Sequence, residues 1–349
     1  GGVANIATGG AASVGGGDGN TASSNWSHVG GGQLNEATGI HSTISGGDEN
    51  KATAESSSVG GGFNNEANGT YSGVGSGTSN VAGGSKSHVG GGNKNYATGE
   101  ESAVTGGYDN EAVAKHAYVG GGTNNSAGAE GSTISGGGGT TGNTIDASSN
   151  WATIGGGERN QVASGLNSTV SGGESNEIVG DRSTIGGGLD NNVTGENSSI
   201  LGGKENKVYG DNSTVGGGEG NIATGEASTI CGGGGASSVG GNTIDSKGSS
   251  ITGGVENIVK SDYSSILGGQ NNEIKTGSGW NAISGGKDNT IHGASDYGTI
   301  VGGINNEITG KHSAIVGGSS SEIEAYSCII AGGQGAKIKE QTSGSIIVG

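Results

Sequence analysis

The residues that could do chemistry in this sequence are serine, histidine and two cysteines, and most of them recur at fixed spacings. A hydrolase needs a nucleophile beside a base, and no nucleophile elbow or zinc-ligand motif occurs. Serine recurs with the period of the chain, which indicates a structural row rather than a set of nucleophiles. Cys231 and Cys328 are too far apart in the repeat to form a disulfide within one chain. We therefore expect no catalytic residues, no cofactor and no dedicated metal site.

The spacing comes from a repeat of about fifteen residues that restarts about 22 times. Each copy reads Ser-x-(Ile/Val)-x-Gly-Gly, then Asn, then a small or branched apolar residue, as in 183–188 with Asn191 and Val193. We number each copy from its Ile/Val, which is position zero. Serine is then at minus two, the Gly pair at plus two and plus three, Asn at plus six and the second apolar residue at plus eight.

This repeat predicts an all-β fold, a parallel β-solenoid of coils of about fifteen residues. Alternation along each short strand places minus two and zero inside, and minus three, minus one and plus one outside. With 85 Gly and 28% hydrophobic residues, the composition alone would suggest disorder. Stacked coils, however, build a continuous core from few apolar residues. We expect one repeat domain over 1–349, with loop insertions near 136–149 and 232–247.

The sequence predicts a structural role for three positions of the coil: the Gly pair, the Asn at plus six and the apolar residue at plus eight. The Gly pair should allow a sharp corner, and Asn at plus six should tolerate a positive φ and stack into an amide ladder. At plus eight the residue grows from Ala to Val and Ile after about residue 160. The sequence therefore predicts a broader and more stable C-terminal half.

Aromatic side chains gather at minus three, an outward position. We assign seven residues to it as candidate contacts, namely Trp26, Trp151, Trp280, Tyr71, Tyr263, Tyr297 and Tyr326. A stripe of exposed aromatic rings marks an interaction surface. It could pack against another copy of the chain or bind an external ligand, and the sequence leaves both open.

The outward position at plus one is small through most of the chain and becomes apolar late. The candidate interface residues there are Leu201, Leu267, Val301 and Val316. An apolar outer stripe on a thin solenoid favours self-association, because contact with another copy buries the stripe.

The net charge of −17 argues against nucleic acid and anionic membrane surfaces as partners. No apolar run approaches the length of a membrane span, so we expect no membrane contact by this segment. The chain begins and ends inside the repeat, which predicts either a fragment or a mature segment excised from a longer protein.

Three motifs resemble the head repeats of trimeric autotransporter adhesins: Tyr-Ser-Ser-Ile-Leu-Gly-Gly at 263–269, Asn-Glu-Ala-Thr-Gly at 35–39 and Ser-Thr-Ile-Gly-Gly-Gly at 183–188. The likeness is to the YadA-like heads, above all the repeats of the ubiquitous surface protein of Moraxella. It covers almost the whole chain. The resemblance implies a left-handed parallel β-roll, a side-by-side homotrimer, an extracellular position on a bacterial surface with anchoring parts outside this chain, and adhesion to host matrix or cell-surface proteins.

Two other functions fit the pattern. One is a purely structural rod or fibre segment, of a surface appendage or a phage tail fibre, with no ligand of its own. The other is an ice-binding solenoid, which requires an unbroken Thr row. Thr recurs at minus one, but His28, His88, Ala103 and Tyr118 interrupt that row.

Overall fold

A computed structural model describes residues 1–235, 240–277 and 279–349, and all regular secondary structure in these ranges is β-strand. No helix in the described ranges is long and apolar enough to span a membrane. The chain divides into two compact units, Gly1–Ser175 and Asn176–Gly349, which we call unit 1 and unit 2. Each unit is a parallel β-solenoid, and the expectation of one continuous domain stays a prediction.

Each coil contributes one two-residue strand at minus one and zero, and within each unit these strands form a sheet that we call sheet I. In unit 1 the sheet I strands are Ser13–Val14, His28–Val29, Thr43–Ile44, Ser58–Val59, Gly73–Val74, His88–Val89, Ala103–Val104, Tyr118–Val119, Thr133–Ile134, Thr153–Ile154 and Thr169–Val170. In unit 2 they are Thr184–Ile185, Ser199–Ile200, Thr214–Val215, Thr229–Ile230, Ser250–Ile251, Ser265–Ile266, Ala282–Ile283, Thr299–Ile300, Ala314–Ile315, Ile329–Ile330 and Ile346–Ile347.

A second two-residue strand builds sheet II of each unit, and it lies at plus seven and plus eight except after the two long insertions, where Thr144–Ile145 and Thr243–Ile244 come later. In unit 1 its strands are Ile6–Ala7, Thr21–Ala22, Glu36–Ala37, Lys51–Ala52, Glu66–Ala67, Val81–Ala82, Tyr96–Ala97, Glu111–Ala112, Ser126–Ala127, Thr144–Ile145 and Gln161–Val162. In unit 2 they are Glu177–Ile178, Asn192–Val193, Lys207–Val208, Ile222–Ala223, Thr243–Ile244, Ile258–Val259, Glu273–Ile274, Thr290–Ile291, Glu307–Ile308, Glu322–Ile323 and Lys337–Ile338. A further pair, Gly2–Val3 and Gly17–Asp18, lies at plus three and plus four.

Strands of like position pair in parallel, in register with the coil before and the coil after. Val89, for example, lies opposite Val74 and Val104, and Ala97 lies opposite Ala82 and Ala112. Single bridges at plus four form a third column of contacts between neighbouring coils. The predicted stacking of like positions is therefore confirmed within each unit.

The core consists of the rows that alternation predicted. Position zero, plus eight and the Asn row are fully buried through nearly all coils of both units, and serine at minus two is buried with them. The hydroxyl of Ser102 donates to the carbonyl of Gly99 at 2.7 Å, as expected of a buried polar group that must be satisfied. The serines at minus two are core residues, as the sequence predicted.

An amide ladder runs along the Asn row. Asn110 donates from Nδ2 to Asn95 Oδ1 at 3.1 Å and to the carbonyls of Gly106 and Gly122 at 3.1 and 2.9 Å. Its backbone N–H also donates to Asn95 Oδ1, at 3.2 Å. Each side chain thus ties its own corner to the coil on either side. Because the ladder is buried, removing one amide would leave several backbone groups unsatisfied.

Three positions of the coil have a positive φ, at plus three, plus five and minus three, and the Asn at plus six is not one of them. The prediction for plus six is wrong: the residue before it takes the left-handed conformation, as at Leu34 (φ 53°) and Glu49 (φ 55°). Minus three is another such position. The Gly at plus three is confirmed as a corner, because Gly47 has φ 93° and a Cβ there would overlap the carbonyl of Gly62.

Sheet II and the amide ladder both continue across the two long insertions. Residues 136–142 lie between the sheet I strand at 133–134 and the sheet II strand at 144–145. Asn143 still bonds Asn125 at 3.1 Å, and Asn242 bonds Asn221 at 3.2 Å across the second insertion. Residues 236–239 of that second loop lie outside the described residues. Irregular spacing hid both amides from the sequence analysis, although they belong to the ladder.

Candidate interaction surface

The predicted aromatic residues lie at the minus-three corner because every coil turns there. Trp26 has φ 56° and donates its backbone N–H to the carbonyl of Gly10 at 2.9 Å. Trp280 has φ 62°, and Tyr263 donates in the same way to Lys247 at 2.9 Å. The backbone is held against the preceding coil, so the side chain must project outward. Six of the seven predicted residues occupy this corner and are exposed, namely Trp26, Trp151, Trp280, Tyr71, Tyr263 and Tyr297.

Tyr326 is exposed but does not belong to that row, which corrects the sequence assignment. Ser327 has the positive φ of 57°, and its backbone N–H makes the bond to the preceding coil. Tyr326 precedes the corner by one residue. Counted from Ile330 at position zero, Ser327 is the minus-three residue and Tyr326 is at minus four.

Four rings of unit 2 stack face to face along the corner, and we call them the aromatic ridge: Tyr263, Trp280, Tyr297 and His312. Their successive centroid distances are 5.5, 5.6 and 5.1 Å, with interplanar angles of 14°, 9° and 11°. Because the faces cover one another, the ridge presents ring edges and polar tips to solvent. In unit 1 the matching contact is a single pair, Trp26 with His41 at 4.8 Å.

The outer face of sheet I carries no ionic charge in the described ranges. None of the residues that begin its strands is Asp, Glu, Lys or Arg, and neither is any residue that directly follows a strand. The same outward positions of sheet II are charged at Glu36, Lys51, Glu66, Glu111, Asp146, Glu177, Lys207, Asp245, Lys260, Glu273, Lys275, Glu307, Glu322, Glu324, Lys337 and Lys339. Charged residues are depleted in the cores of protein interfaces, so this face is the candidate contact surface.

The uncharged face differs between the units. In unit 2 the four predicted interface residues lie on it, all exposed, and we call them the aliphatic row: Leu201, Leu267, Val301 and Val316. In unit 1 the same positions are Gly, Ser or Thr. The sequence analysis identified the aliphatic row but missed the absence of charge around it. Sorting residues by sheet and by face would have found it.

On the remaining surface, pairs of oppositely charged side chains connect residues of neighbouring coils. In unit 1, Lys86 Nζ lies 2.7 Å from Glu101 Oε1, and His116 Nε2 lies 3.0 Å from Glu101 Oε2. The hydrogen bond from Lys86, followed by that from His116, holds the pKa of the Glu101 carboxyl below its usual value. The same contact raises the pKa of Lys86. Both groups are solvent-exposed, so these pairs contribute little to stability.

The described residues contain no group of three His, Cys, Asp or Glu side chains arranged to hold a metal ion. Cys231 is exposed and Cys328 is buried, and both are free thiols. Each unit is a parallel β-solenoid in which the outer face of sheet I carries no Asp, Glu, Lys or Arg among the described residues. No protein-family model matches this chain, and no curated protein sequence is similar to it. The likeness of its repeats to adhesin heads stays a resemblance.

Proposed function

We propose that this chain is the head segment of a bacterial surface adhesin of the trimeric autotransporter type, and that it has no enzymatic activity. It would attach to host extracellular-matrix or cell-surface proteins, outside the cell, and be anchored by parts of the protein beyond this segment. The observation that carries the proposal is the uncharged outer face of sheet I with its aliphatic row. The repeat motifs at 35–39, 183–188 and 263–269 supply the family likeness.

Self-association through that face is the first step of the proposal. Two copies that each carry a net charge of −17 repel one another at every face rich in carboxylates. The outer face of sheet I has none, and in unit 2 it offers exposed aliphatic side chains whose burial favours contact. Copies packed side by side along this face would form the homotrimer that the resemblance implies.

The test of self-association is a pair of charge substitutions with a matched control. Leu267→Asp with Val301→Asp places two carboxylates in the aliphatic row and should release monomers. The control, Ile222→Asp with Ile258→Asp, makes the same type of change at outward positions of sheet II. An unchanged oligomer in the first variant, measured by light scattering, would reject this face as the interface.

Adhesion is tested separately, by pull-down of the intact oligomer on immobilised fibronectin, laminin and collagen. Binding that survives washing at physiological salt supports the adhesin. The regular coils, with the Asn ladder unbroken across both long insertions, equally favour a purely structural rod or fibre segment. Absence of binding by the oligomer to all three proteins favours that alternative. The interrupted Thr row at minus one gives ice binding no comparable support.

A further inference from the structure

The amide ladder is interrupted in unit 2 at Ser321. In the coil before, Asn306 at plus six donates from Nδ2 to the carbonyls of Gly302 and Gly318 at 3.0 and 3.2 Å. In the next coil this position is Ser321, and in the coil after that it is Ala336. The Ser321 N–H still donates to Asn306 Oδ1, at 3.1 Å. The backbone therefore keeps the geometry of the ladder while the amide is replaced by a shorter side chain.

The shorter side chain is a buried polar group that lacks a hydrogen bond. Ser321 is 1% exposed, and its hydroxyl oxygen has no hydrogen-bond partner among the described residues. The large majority of buried hydroxyl groups in folded proteins are bonded, either to protein or to ordered water. The Ser321 hydroxyl therefore points to a small hydrogen-bonding ligand beside it.

The space beside Ser321 can be judged from the Gly at plus three. A Cβ built on Gly286 would lie 2.6 Å from Nδ2 of Asn289, because the amide fills that side of the corner. The three atoms nearest to a Cβ built on Gly318 all belong to the backbone of Gly333, the farthest of them at 3.2 Å, so no atom of Ser321 comes closer. The amide that Ser lacks leaves room for about one water molecule.

We propose that one buried water molecule binds beside Ser321 and takes the place of the amide. It would donate to the carbonyls of Gly317 and Gly333, which correspond to the two carbonyls that Asn110 bonds in unit 1. It would accept from the Ser321 hydroxyl and from the N–H of Ala336, since the N–H at plus six donates to the side chain of the preceding coil throughout the ladder. Buried water molecules typically make about 3 such bonds.

The mixture of donors and acceptors favours water over a cation at this place. Carbonyl and hydroxyl oxygens alone could coordinate a metal ion, but the N–H of Ala336 would then point its hydrogen at the positive charge. The carboxylates that follow closely in the chain, Glu322 and Glu324, bond Lys337 and Lys339 instead. The site lies at a corner of the coil, so it goes beyond the adhesin function and does not depend on self-association.

A crystal structure of the full chain, at a resolution that shows ordered water, tests the site. In the unmodified chain the water should lie about 2.7–3.2 Å from Ser321 Oγ and from the carbonyl of Gly317. In Ser321→Asn the new amide should replace the water and bond the carbonyls of Gly317 and Gly333. The control, Ser319→Asn, makes the same change at plus four, where Asn93 occurs in another coil, and should leave the water in place.

Hydrogen exchange of the Ala336 N–H gives a second readout. A bound water exchanges with solvent, whereas a covalently attached amide stays bonded, so Ser321→Asn should slow this exchange by about tenfold or more. Ser319→Asn should not.

Four results would overturn the proposal. The first two are the absence of an ordered water bonded to Ser321 Oγ, and a direct bond from that oxygen to a protein carbonyl. The third is a metal ion at this place, with oxygen ligands at about 2.3–2.6 Å. The fourth is unchanged exchange of the Ala336 N–H in Ser321→Asn. None of these results bears on adhesion or self-association, which are tested on other surfaces.

Discussion

Units 1 and 2 share one coil but differ in the size of their cores. At plus eight, unit 1 has Ala in nine coils, whereas unit 2 has Val or Ile in all but one, at Ala223. At position zero, unit 2 is mostly Ile and unit 1 mostly Val. All these side chains are buried except at the chain ends. The coil thus accepts cores of different volume without a change in strand register.

The serine at minus two shows how the coil adapts. With Ala at plus eight, the serine hydroxyls that donate within the corner do so to the carbonyl three residues before, as Ser57 does to Ala54 at 2.7 Å. The hydroxyls of Ser42 and Ser87 have no hydrogen-bond partner among the described residues, and that of Ser72 accepts from the backbone N–H of Gly69. With Val or Ile, the serine hydroxyl donates to the carbonyl two residues before, as Ser198 does to Glu196 at 3.0 Å. Plus eight and minus two are the inward residues on either side of one corner. The extra methyl groups therefore compete with the hydroxyl for the same space.

Two coils carry at plus eight the residue type that is common in the other unit. They therefore distinguish the effect of side-chain size from that of location in the chain. Ser228 of unit 2 follows Ala223, and its hydroxyl bonds the carbonyl of Gly225 at 2.7 Å, as in unit 1. Ser168 of unit 1 follows Val162, and its hydroxyl bonds Leu166 at 3.2 Å, as in unit 2. In these two coils the hydrogen bond follows the residue at plus eight and not the position in the chain. Ser345 is an exception, because it comes after Ile338 but bonds the carbonyl of Thr342 three residues before, at 2.6 Å.

Cys328 fits the same rule. It replaces serine at minus two, follows Ile323, and its thiol contacts the carbonyl of Tyr326 two residues before, at 3.2 Å. This buried thiol is therefore a member of the core row.

The largest expected effect is a core truncation in unit 2. Ile291→Ala removes a fully buried side chain at plus eight and leaves a cavity, which should reduce the free energy of unfolding by about 2–5 kcal/mol. Denaturant titration followed by circular dichroism measures the loss. The reverse change, Ala97→Ile, should also destabilise, by about 1–3 kcal/mol, because unit 1 packs closely around Ala. Stabilisation by Ala97→Ile would contradict the difference in core size.

The aromatic ridge gives a second comparison, between rings of equal exposure. Trp280 and Trp151 are 56% and 57% exposed, but only Trp280 is stacked on two rings. Trp280→Ala should cost about 1–3 kcal/mol from the two lost ring contacts, and Trp151→Ala should cost less. Chemical denaturation measures the free energy of unfolding of both variants. Equal losses for Trp280→Ala and Trp151→Ala would show that stacking adds no stability beyond the packing of one exposed ring.

A smaller change tests the serine rule. Ala223→Val should move the Ser228 hydroxyl from the carbonyl of Gly225 to that of Glu226, with a stability change of about 1 kcal/mol or less, since one satisfied hydrogen bond replaces another. A crystal structure of the variant checks the partner. If Ser228 keeps its bond to Gly225, the residue at plus eight does not control the corner.

The smallest expected effect concerns the exposed carboxylate of Glu101. Its pKa is lowered in the folded chain, so its ionised form adds stability above the unfolded pKa, near 4.3 for Glu, and the gain is lost as the pH falls through the folded value. Glu101→Gln should therefore lower the melting temperature slightly at pH 7 and not at all at pH 2. A difference that persists at pH 2 would mean that the side chain acts by packing.

Much of this fold follows from the spacing of a few residue types. Position zero, serine at minus two and Asn at plus six predict two strands and a ladder, because alternation and stacking leave no other register for them. The location of the positive φ at plus five was not predictable in this way. The row is not confined to Gly and Asn, since residues such as Leu34, Glu49 and Lys94 also occur there and a hydrogen-bonded backbone imposes the conformation.

The candidate surface was only partly predictable. The aromatic corner and the aliphatic row could be read from the sequence because they are rows of unusual residues. The uncharged face is defined by residues that are missing from it. It becomes visible only when residues of separate coils, such as Ser58 and Gly73, are placed side by side.

The measurement that tests the central claim most directly is the mass of the unmodified chain in solution by light scattering. If the uncharged face of sheet I is a contact surface, the mass should be about three times the 33.2 kDa of one chain. A mass of 33.2 kDa that does not rise with concentration would show that this face is open to solvent, and would contradict the account.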